Sequence, residues 1–321
     1  MTISPEQTAW FAATFRSMVE NVETVVLGKR HVIELAFTAM VSEGHLLLED
    51  FPGTGKTSLA RAMGQTVHGT NSRIQFTPDL LPGDVTGITV YDQKRGEFEF
   101  HSGPIFANIV LADEINRASP KTQSALLEAM EEGKVTVDGI TRSTGSPFLV
   151  IATQNPIEQA GTYRLPEAQL DRFMMKTSLG YPDLASTIRI LEGTSTAQPT
   201  VSPIITPQAL VGMSDLARGV FVNPLVLDYI ARIVEASRNT GQLRMGVSVR
   251  GARALTKAAK TWAAAHERSY VIPDDVKLLA EAVLAHRIVV DPEAEFDGVT
   301  ANAVIGQLLL DIVPPMRSEL A

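Results

Sequence analysis

From His45 to Ile151 the chain carries short apolar or β-branched runs, His45-Leu48, Ile74-Phe76, Ile109-Ala112 and Phe148-Ala152, separated by stretches with helical spacing. Continuous apolar runs of this length are strands buried on both faces, and their alternation with helices predicts a parallel sheet covered by helices. After Tyr181-Pro182 the strand runs stop. Helices follow, opened by a capping residue or a proline at the first position: Thr206-Pro207, Asn223-Pro224 and Ile272-Pro273-Asp274. At the front, Ser4-Pro5-Glu6-Gln7 is a capping box for a helix reaching about Glu23, and a second helix spans roughly Arg30 to Ser42. Two hairpins interrupt the α/β pattern. Gly87-Ile88-Thr89-Val90-Tyr91 and Glu97-Phe98-Glu99-Phe100 join through Lys94-Arg95-Gly96, while Val135, Val137 and Ile140 flank the turn pair Asp138-Gly139.

These elements predict a two-part chain: an α/β nucleus over residues 1–180 with inserts at about 84–103 and 131–147, a connector and helix over 181–205, and a helical unit over 206–321. A length of 321 residues suits two domains, each able to bury a core. Hydrophobic residues at 45% and charged residues at 20% exclude a disordered chain. The net charge of -8 gives the chain as a whole no electrostatic reason to seek nucleic acid or anionic lipid. Cysteine is absent, which removes disulfides, thiolate catalysis and thiolate metal sites together. Met1 to Phe11 carry neither a basic nor an apolar leader region, so a cytoplasmic location is expected. The longest uncharged run, Gly193 to Ser214, is broken by Pro199, Pro203 and Pro207 and reads as a connector rather than a membrane span.

The strongest chemical signal is Leu46-Leu47-Leu48-Glu49-Asp50-Phe51-Pro52-Gly53-Thr54-Gly55-Lys56-Thr57-Ser58, an apolar strand, a glycine loop and a helix start. This is a P-loop in its proper context. Gly53 and Gly55 let backbone N–H groups turn inward around phosphate oxygens, Lys56 neutralises the β/γ charge, and Thr57 offers a hydroxyl to magnesium. The first glycine of the pattern falls at position 50, where this chain has Asp50. A carboxylate near phosphates is expected to weaken nucleotide affinity.

A second signal is the apolar strand that ends in Asp113-Glu114. Acids at the carboxyl end of a parallel strand sit where such sheets bind ligands. Asp113 can hold magnesium through water, and Glu114 can polarise the water that attacks a γ-phosphate; a solvated strand end is the bland alternative. A third strand, Phe148 to Thr153, leads into Gln154-Asn155-Pro156. An amide there can bond both the γ-phosphate and the attacking water, although an Asn-Pro turn explains the same letters. The six histidines show no metal-binding spacing.

The order of these motifs resembles an AAA+ ATPase, and more narrowly the MoxR family. The words Gly44-His45-Leu46-Leu47-Leu48-Glu49, Pro52-Gly53-Thr54-Gly55-Lys56-Thr57, Ala112-Asp113-Glu114-Ile115-Asn116-Arg117-Ala118, Ala152-Thr153-Gln154-Asn155-Pro156 and Leu165-Pro166-Glu167-Ala168-Gln169-Leu170-Asp171-Arg172-Phe173 carry it. The resemblance implies an αβα nucleotide-binding domain, a small all-α lid, ATP with magnesium, and a ring, usually of six subunits. It implies that Asn155 is sensor 1 and that Arg172 is an arginine finger reaching a neighbour's γ-phosphate; a helix-end salt bridge of Arg172 with Glu167 or Asp171 is the alternative. Gly246-Val247-Ser248-Val249-Arg250-Gly251 resembles the sensor 2 motif, with Val249 where the family often has proline, so Arg250 links the lid to bound nucleotide. Gly28, with Val26 and Leu27, corresponds to the adenine edge. The two hairpins resemble the helix-2 insert and the pre-sensor-1 insertion of the same clade.

From Ser237 to His266 there are six Lys or Arg residues and no acid, and Arg250, Arg253, Lys257 and Lys260 form one helical stripe. Such a stripe can hold ATP phosphates, a neighbour's acidic face or nucleic acid, or simply face solvent. Three functions stay open. The resemblance implies a remodelling machine acting on proteins with von Willebrand factor A domains or on metal-cofactor enzymes. A slow nucleotide switch is the second, favoured mildly by Asp50. A nucleic-acid motor is the third, opposed by the net charge and by a hairpin whose Lys94 and Arg95 are balanced by Asp92, Glu97 and Glu99.

Overall fold

The computed structural model describes residues 3–51, 53–155, 163–193 and 201–316. Two helices lead, α1 (Pro5–Glu23) and α2 (Arg30–Val41), the first closed by the expected capping box: Gln7 N–H donates to Ser4 Oγ at 3.2 Å and Ser4 N–H to Gln7 Oε1 at 2.9 Å. There follow β1 (Leu46–Glu49), α3 (Lys56–Thr66), β2 (Asn71–Gln75), α4 (Pro82–Thr86), β3 (Gly87–Asp92), β4 (Glu97–Ser102), β5 (Ile109–Asp113) and α5 (Pro120–Glu132). Next come β6 (Lys134–Val137), β7 (Ile140–Ser143), β8 (Leu149–Gln154), α6 (Glu167–Leu170) and β9 (Met175–Thr177). The C-terminal part holds α7 (Leu184–Gly193), α8 (Pro207–Arg218), α9 (Pro224–Asn239), β10 (Leu243–Met245), α10 (Val249–Ala265), α11 (Pro273–Leu284), β11 (Val289–Val290), α12 (Pro292–Phe296) and α13 (Ala301–Asp311).

Strands β2-β5-β8-β1-β9 form one parallel sheet in that order. Alternate residues feed two cores, which explains the unbroken apolar runs. Leu46, Leu48, Leu111 and Ile151 enter a cluster shared with α1, α2 and the lid helices, whereas Leu47, Val110, Ala112, Val150 and Ala152 enter one shared with α5. The sheet with helices on both faces and the helical lid agree with the expected class. The expectation that strands stop after residue 182 is corrected by β10 and β11, which pair antiparallel inside the lid. Strand β9 carried no sequence signal, being three residues long, yet it supplies the sheet edge beside β1.

Both hairpins form. Asp92 pairs with Glu97 across the first, and Val137 with Ile140 across the second, where Asp138 (φ 52°) and Gly139 (φ 76°) take the positive φ values of a type I′ turn. They meet each other: the Arg142 guanidinium lies 3.8 Å over the Phe100 ring.

The lid is fastened to the α/β unit near the amino ends of β1 and β9. Arg287, buried just after α11, bonds Asp171 Oδ1 through Nε at 2.7 Å and donates to the carbonyls of Phe173 at 2.7 Å and Met174 at 3.1 Å. Burial lowers its pKa, and Asp171 opposes that shift. His286 donates from Nε2 to Phe173 O at 3.0 Å. His45 bridges three elements, donating from Nε2 to Met130 O and accepting at Nδ1 from Val150 N–H. Burial depresses both histidines: His45 falls to about 4 and His286 well below its ordinary value, with Arg287 adding repulsion there.

Candidate active site

The carboxyl edge of the sheet gathers the phosphate-type motifs because β5, β8 and β1 are consecutive neighbours and all end on that edge. Adjacent strands lie about 4.8 Å apart, so Asp113-Glu114 and the glycine loop are separated by roughly 10 Å, with Asn155 between them. Gly53 (φ 84°) and Gly55 (φ 96°) adopt the left-handed conformation that the loop needs, and a Cβ on either would meet nothing within 4 Å. The concavity is therefore open. Helix α3 begins at Lys56 with no side-chain cap, so its first N–H groups face the loop unsatisfied by the protein's own side chains. Lys56 Nζ is parked on the carbonyls of Phe51 at 3.0 Å and Asp50 at 3.3 Å; Thr57 and Ser58 are exposed on the first turn. Thr54 is buried and donates its hydroxyl to Phe51 O. Pro52 lies outside the described residues.

Asp113 is buried and doubly held: Thr153 Oγ1 donates to Oδ1 at 2.6 Å and Arg73 to Oδ2 at 2.7 Å. Glu114 turns the chain with φ 56°, a conformation that costs a non-glycine residue about 1 kcal/mol and is common at active sites. Its carboxylate accepts from Arg117 at 2.8 Å and from Gln75 at 3.2 Å. Arg73, Gln75, Arg117 and Thr153 carried no sequence signal as site residues. The polar alternation of Arg73 and Gln75 within an otherwise buried sheet is the mark that could have identified two of them, since Gln75 is in register with Asp113. Oxygen donors at Thr57 and Asp113 suit a hard cation such as magnesium.

Asp50 departs from its expectation. Its side chain is buried, and both carboxylate oxygens are taken up by residues 178–180 rather than facing the loop: Ser178 Oγ at 2.9 Å, Leu179 N–H at 2.7 Å and Gly180 N–H at 2.8 Å. Gly28 (φ 69°) lies against Ser186 and Asp183 at the start of α7, close enough that a Cβ would collide with the Ser186 hydroxyl.

Arg172 and Arg250 do not join this edge. Arg172 precedes β9, whose Met175 is in register with Leu46, so it stands at the amino edge of the sheet, beside Gly44 and His45. Its partner is neither Glu167 nor Asp171 but Glu131, at 3.2 Å, together with Leu127 O at 2.7 Å. Arg250 reaches the other oxygen of Glu131 at 2.6 Å and lies 3.7 Å from Asp171. One carboxylate thus bridges both guanidiniums. Ser248 caps α10 through Gly251 N–H and also donates to Asp171. The rest of the basic stripe, Arg253, Lys257 and Lys260, lines an apolar cavity of about 510 Å³ between α2 and helices α8, α9 and α10. Burial lowers the pKa of Lys260, whose ammonium donates to Arg218 O at 2.9 Å.

Residues 45–175 match the family described as ATPase family associated with various cellular activities, and residues 235–308 match the AAA lid domain. The chain is 48% identical to protein YeaC of Bacillus subtilis, covering 94% of this chain and 95% of that protein. It is 40% identical to chaperone MoxR1 of Mycobacterium tuberculosis, covering 94% and 82%. A crystal structure from Cytophaga hutchinsonii superposes with a TM-score of 0.91 at 37% identity, covering 97% of this chain and 98% of that one. Among the described residues no helix is long and apolar enough to cross a membrane.

Proposed function

The chain belongs to the MoxR family of AAA+ ATPases, and from that premise we propose that it binds and hydrolyses ATP at the boundaries of a ring of identical subunits, probing and reshaping partner proteins. The observation that carries this reading is the separation of its charged groups onto two edges of one sheet. The P-loop, Asp113, Glu114 and Asn155 share the carboxyl edge, while Arg172 and Arg250 stand together at the amino edge, bridged by Glu131. A chain cannot bring its own amino edge to its own P-loop, but a neighbour in a ring can.

On this reading the backbone of residues 53–57 and Lys56 grip the phosphates. Thr57 and Asp113 would hold the magnesium ion, which neutralises charge on the β- and γ-phosphates when bound. Glu114, released from Arg117 and Gln75, takes a proton from the attacking water, and Asn155 fixes that water and a γ-oxygen. Arg172 and Arg250 of the neighbouring copy exchange Glu131 for the developing charge on the γ-phosphate. Gly28 forms the adenine edge. The lid, covering residues 206–321 with a lead-in over 181–205, moves with the site.

The relative MoxR1 is named a chaperone, and this supports action on a client protein. A client of the von Willebrand factor A type or a metal-cofactor enzyme, and a cytoplasmic ring of six, are further parts of the same proposal. The test is a Glu114→Gln form expressed with an affinity tag. It is expected to hold ATP without turnover and to retain client protein on the column in an ATP-dependent way. Wild-type turnover that rises with DNA but with no protein partner would contradict the chaperone reading in favour of a nucleic-acid motor.

A further inference from the structure

The residue that breaks the P-loop pattern has a structural task of its own. Strand β9 pairs with β1 only as far as Leu48 and Thr177, after which the ladder ends. The next N–H groups on that side, those of Leu179 and Gly180, are taken by the Asp50 carboxylate, and the Ser178 hydroxyl is taken with them. The side chain continues the ladder where the backbone cannot. Glycine, the residue of the general pattern, has no atom to do this. The segment so held is the lead from the sheet into α7, and its grip is reinforced by two further contacts, one from the same loop and one from the residue that precedes α2. The Phe51 ring stacks on Tyr181 at 6.1 Å between centroids with planes 6° apart, and Lys29 Nζ donates to Tyr181 O at 2.8 Å. Asp183 then caps α7 through Ser186 N–H at 2.7 Å, beside Gly28.

We infer that Asp50 is a latch that fastens the lead into the lid to the first turn of the P-loop, so that a change in the loop on nucleotide binding is passed to residues 178–193. Asp50 is a positioning residue here, and its charge is spent on backbone amides rather than set against phosphate. The inference rests on the nucleotide reading only for what moves the loop; the fastening itself can be measured without nucleotide.

Hydrogen–deuterium exchange on the full chain tests it. In the wild type the amides of Leu179 and Gly180 exchange slowly without nucleotide, and exchange across 178–193 shifts when ATP and magnesium are added. Asp50→Gly is expected to speed exchange at those two amides at least ten-fold and to abolish the nucleotide-dependent shift. Asp50→Asn keeps the volume and one acceptor oxygen and gives an intermediate effect, and it carries the same test should the glycine form fail to fold. Ser178→Ala, which removes only the hydroxyl donor, gives the smallest effect. Slow exchange at Leu179 and Gly180 in Asp50→Gly, or a wild-type nucleotide shift in that variant, would overturn the latch. So would an equal tightening of ATP affinity in the Gly and Asn forms with exchange unaltered, because that pattern belongs to a charge acting on phosphates. A wild-type chain that takes up no ATP would remove the nucleotide reading, while fast exchange in nucleotide-free Asp50→Gly would still uphold the fastening.

Discussion

At the carboxyl edge of the sheet the polar groups come from compact words of sequence and are held by partners that a ligand can replace: Lys56 rests on two carbonyls, and Glu114 rests on Gln75 and the exposed Arg117. At the amino edge the polar groups come from four distant stretches, around Glu131, Asp171, Arg250 and Arg287, and half of them serve to fasten the lid. The difference separates receiving from presenting. One edge keeps its donors loosely occupied around open space; the other holds two arginines on one carboxylate, an arrangement that on the proposed reading orders the guanidiniums before they meet another subunit.

Replacing a group at the carboxyl edge is expected to have the largest effect. Lys56→Ala should lower ATP affinity more than about 100-fold, since it removes the one cation of the loop that meets the phosphates. Equilibrium titration with a fluorescent ATP analogue measures this, and near-normal affinity would remove Lys56 from the site. Glu114→Gln comes next. It should keep nucleotide affinity while kcat falls by roughly 10²–10⁴-fold, the usual worth of a general base; a parallel loss of affinity would mean that the carboxylate is structural.

The amino edge answers through stability instead. Arg287→Ala leaves Asp171 without its buried partner and opens the joint between sheet and lid, for an expected loss of about 3–5 kcal/mol in chemical denaturation. A loss below about 1 kcal/mol would place the lid's attachment elsewhere. Acid should act on the same edge. His45 is neutral in the fold with a pKa of about 4 against 6.5 unfolded, so the unfolded chain binds the extra proton first. Stability is whole above pH 6.5 and is lost as the pH falls toward 4, by about 3 kcal/mol from His45 alone. His286 adds in the same direction. Urea unfolding at pH 7 and pH 4.5 measures the slope, which His45→Gln should flatten; an unchanged slope in that variant would assign acid sensitivity to other groups.

The comparison also explains what could be read without coordinates. Strand β1, the loop and Asp113-Glu114 are legible because backbone geometry forces their residue types into contiguous words. So are the helix starts at Ser4, Thr206 and Asn223, whose side chains cap the turns as expected. Glu131 was not legible, because a glutamate on the outer side of the last turn of a half-buried helix looks like solvated surface until two arginines from elsewhere are seen on it. Arg287 carried no mark in the sequence, although it is buried against four main-chain carbonyls and a carboxylate. Asp50 was legible as an exception but not as a latch, since its partners lie about 130 residues along the chain, just beyond a strand too short to announce itself.

The separation of the two edges is tested most directly by mixing. Lys56→Ala subunits cannot hold ATP, and Arg172→Ala subunits cannot complete a neighbour's site; each alone should be inactive. Combined at varied ratios, they should regain turnover, highest near equal proportions, because a Lys56→Ala subunit lends its intact Arg172 to the nucleotide held next door. Turnover that stays at the background of the separate variants at every ratio, in samples shown to co-assemble, would contradict a site built from two copies of this chain.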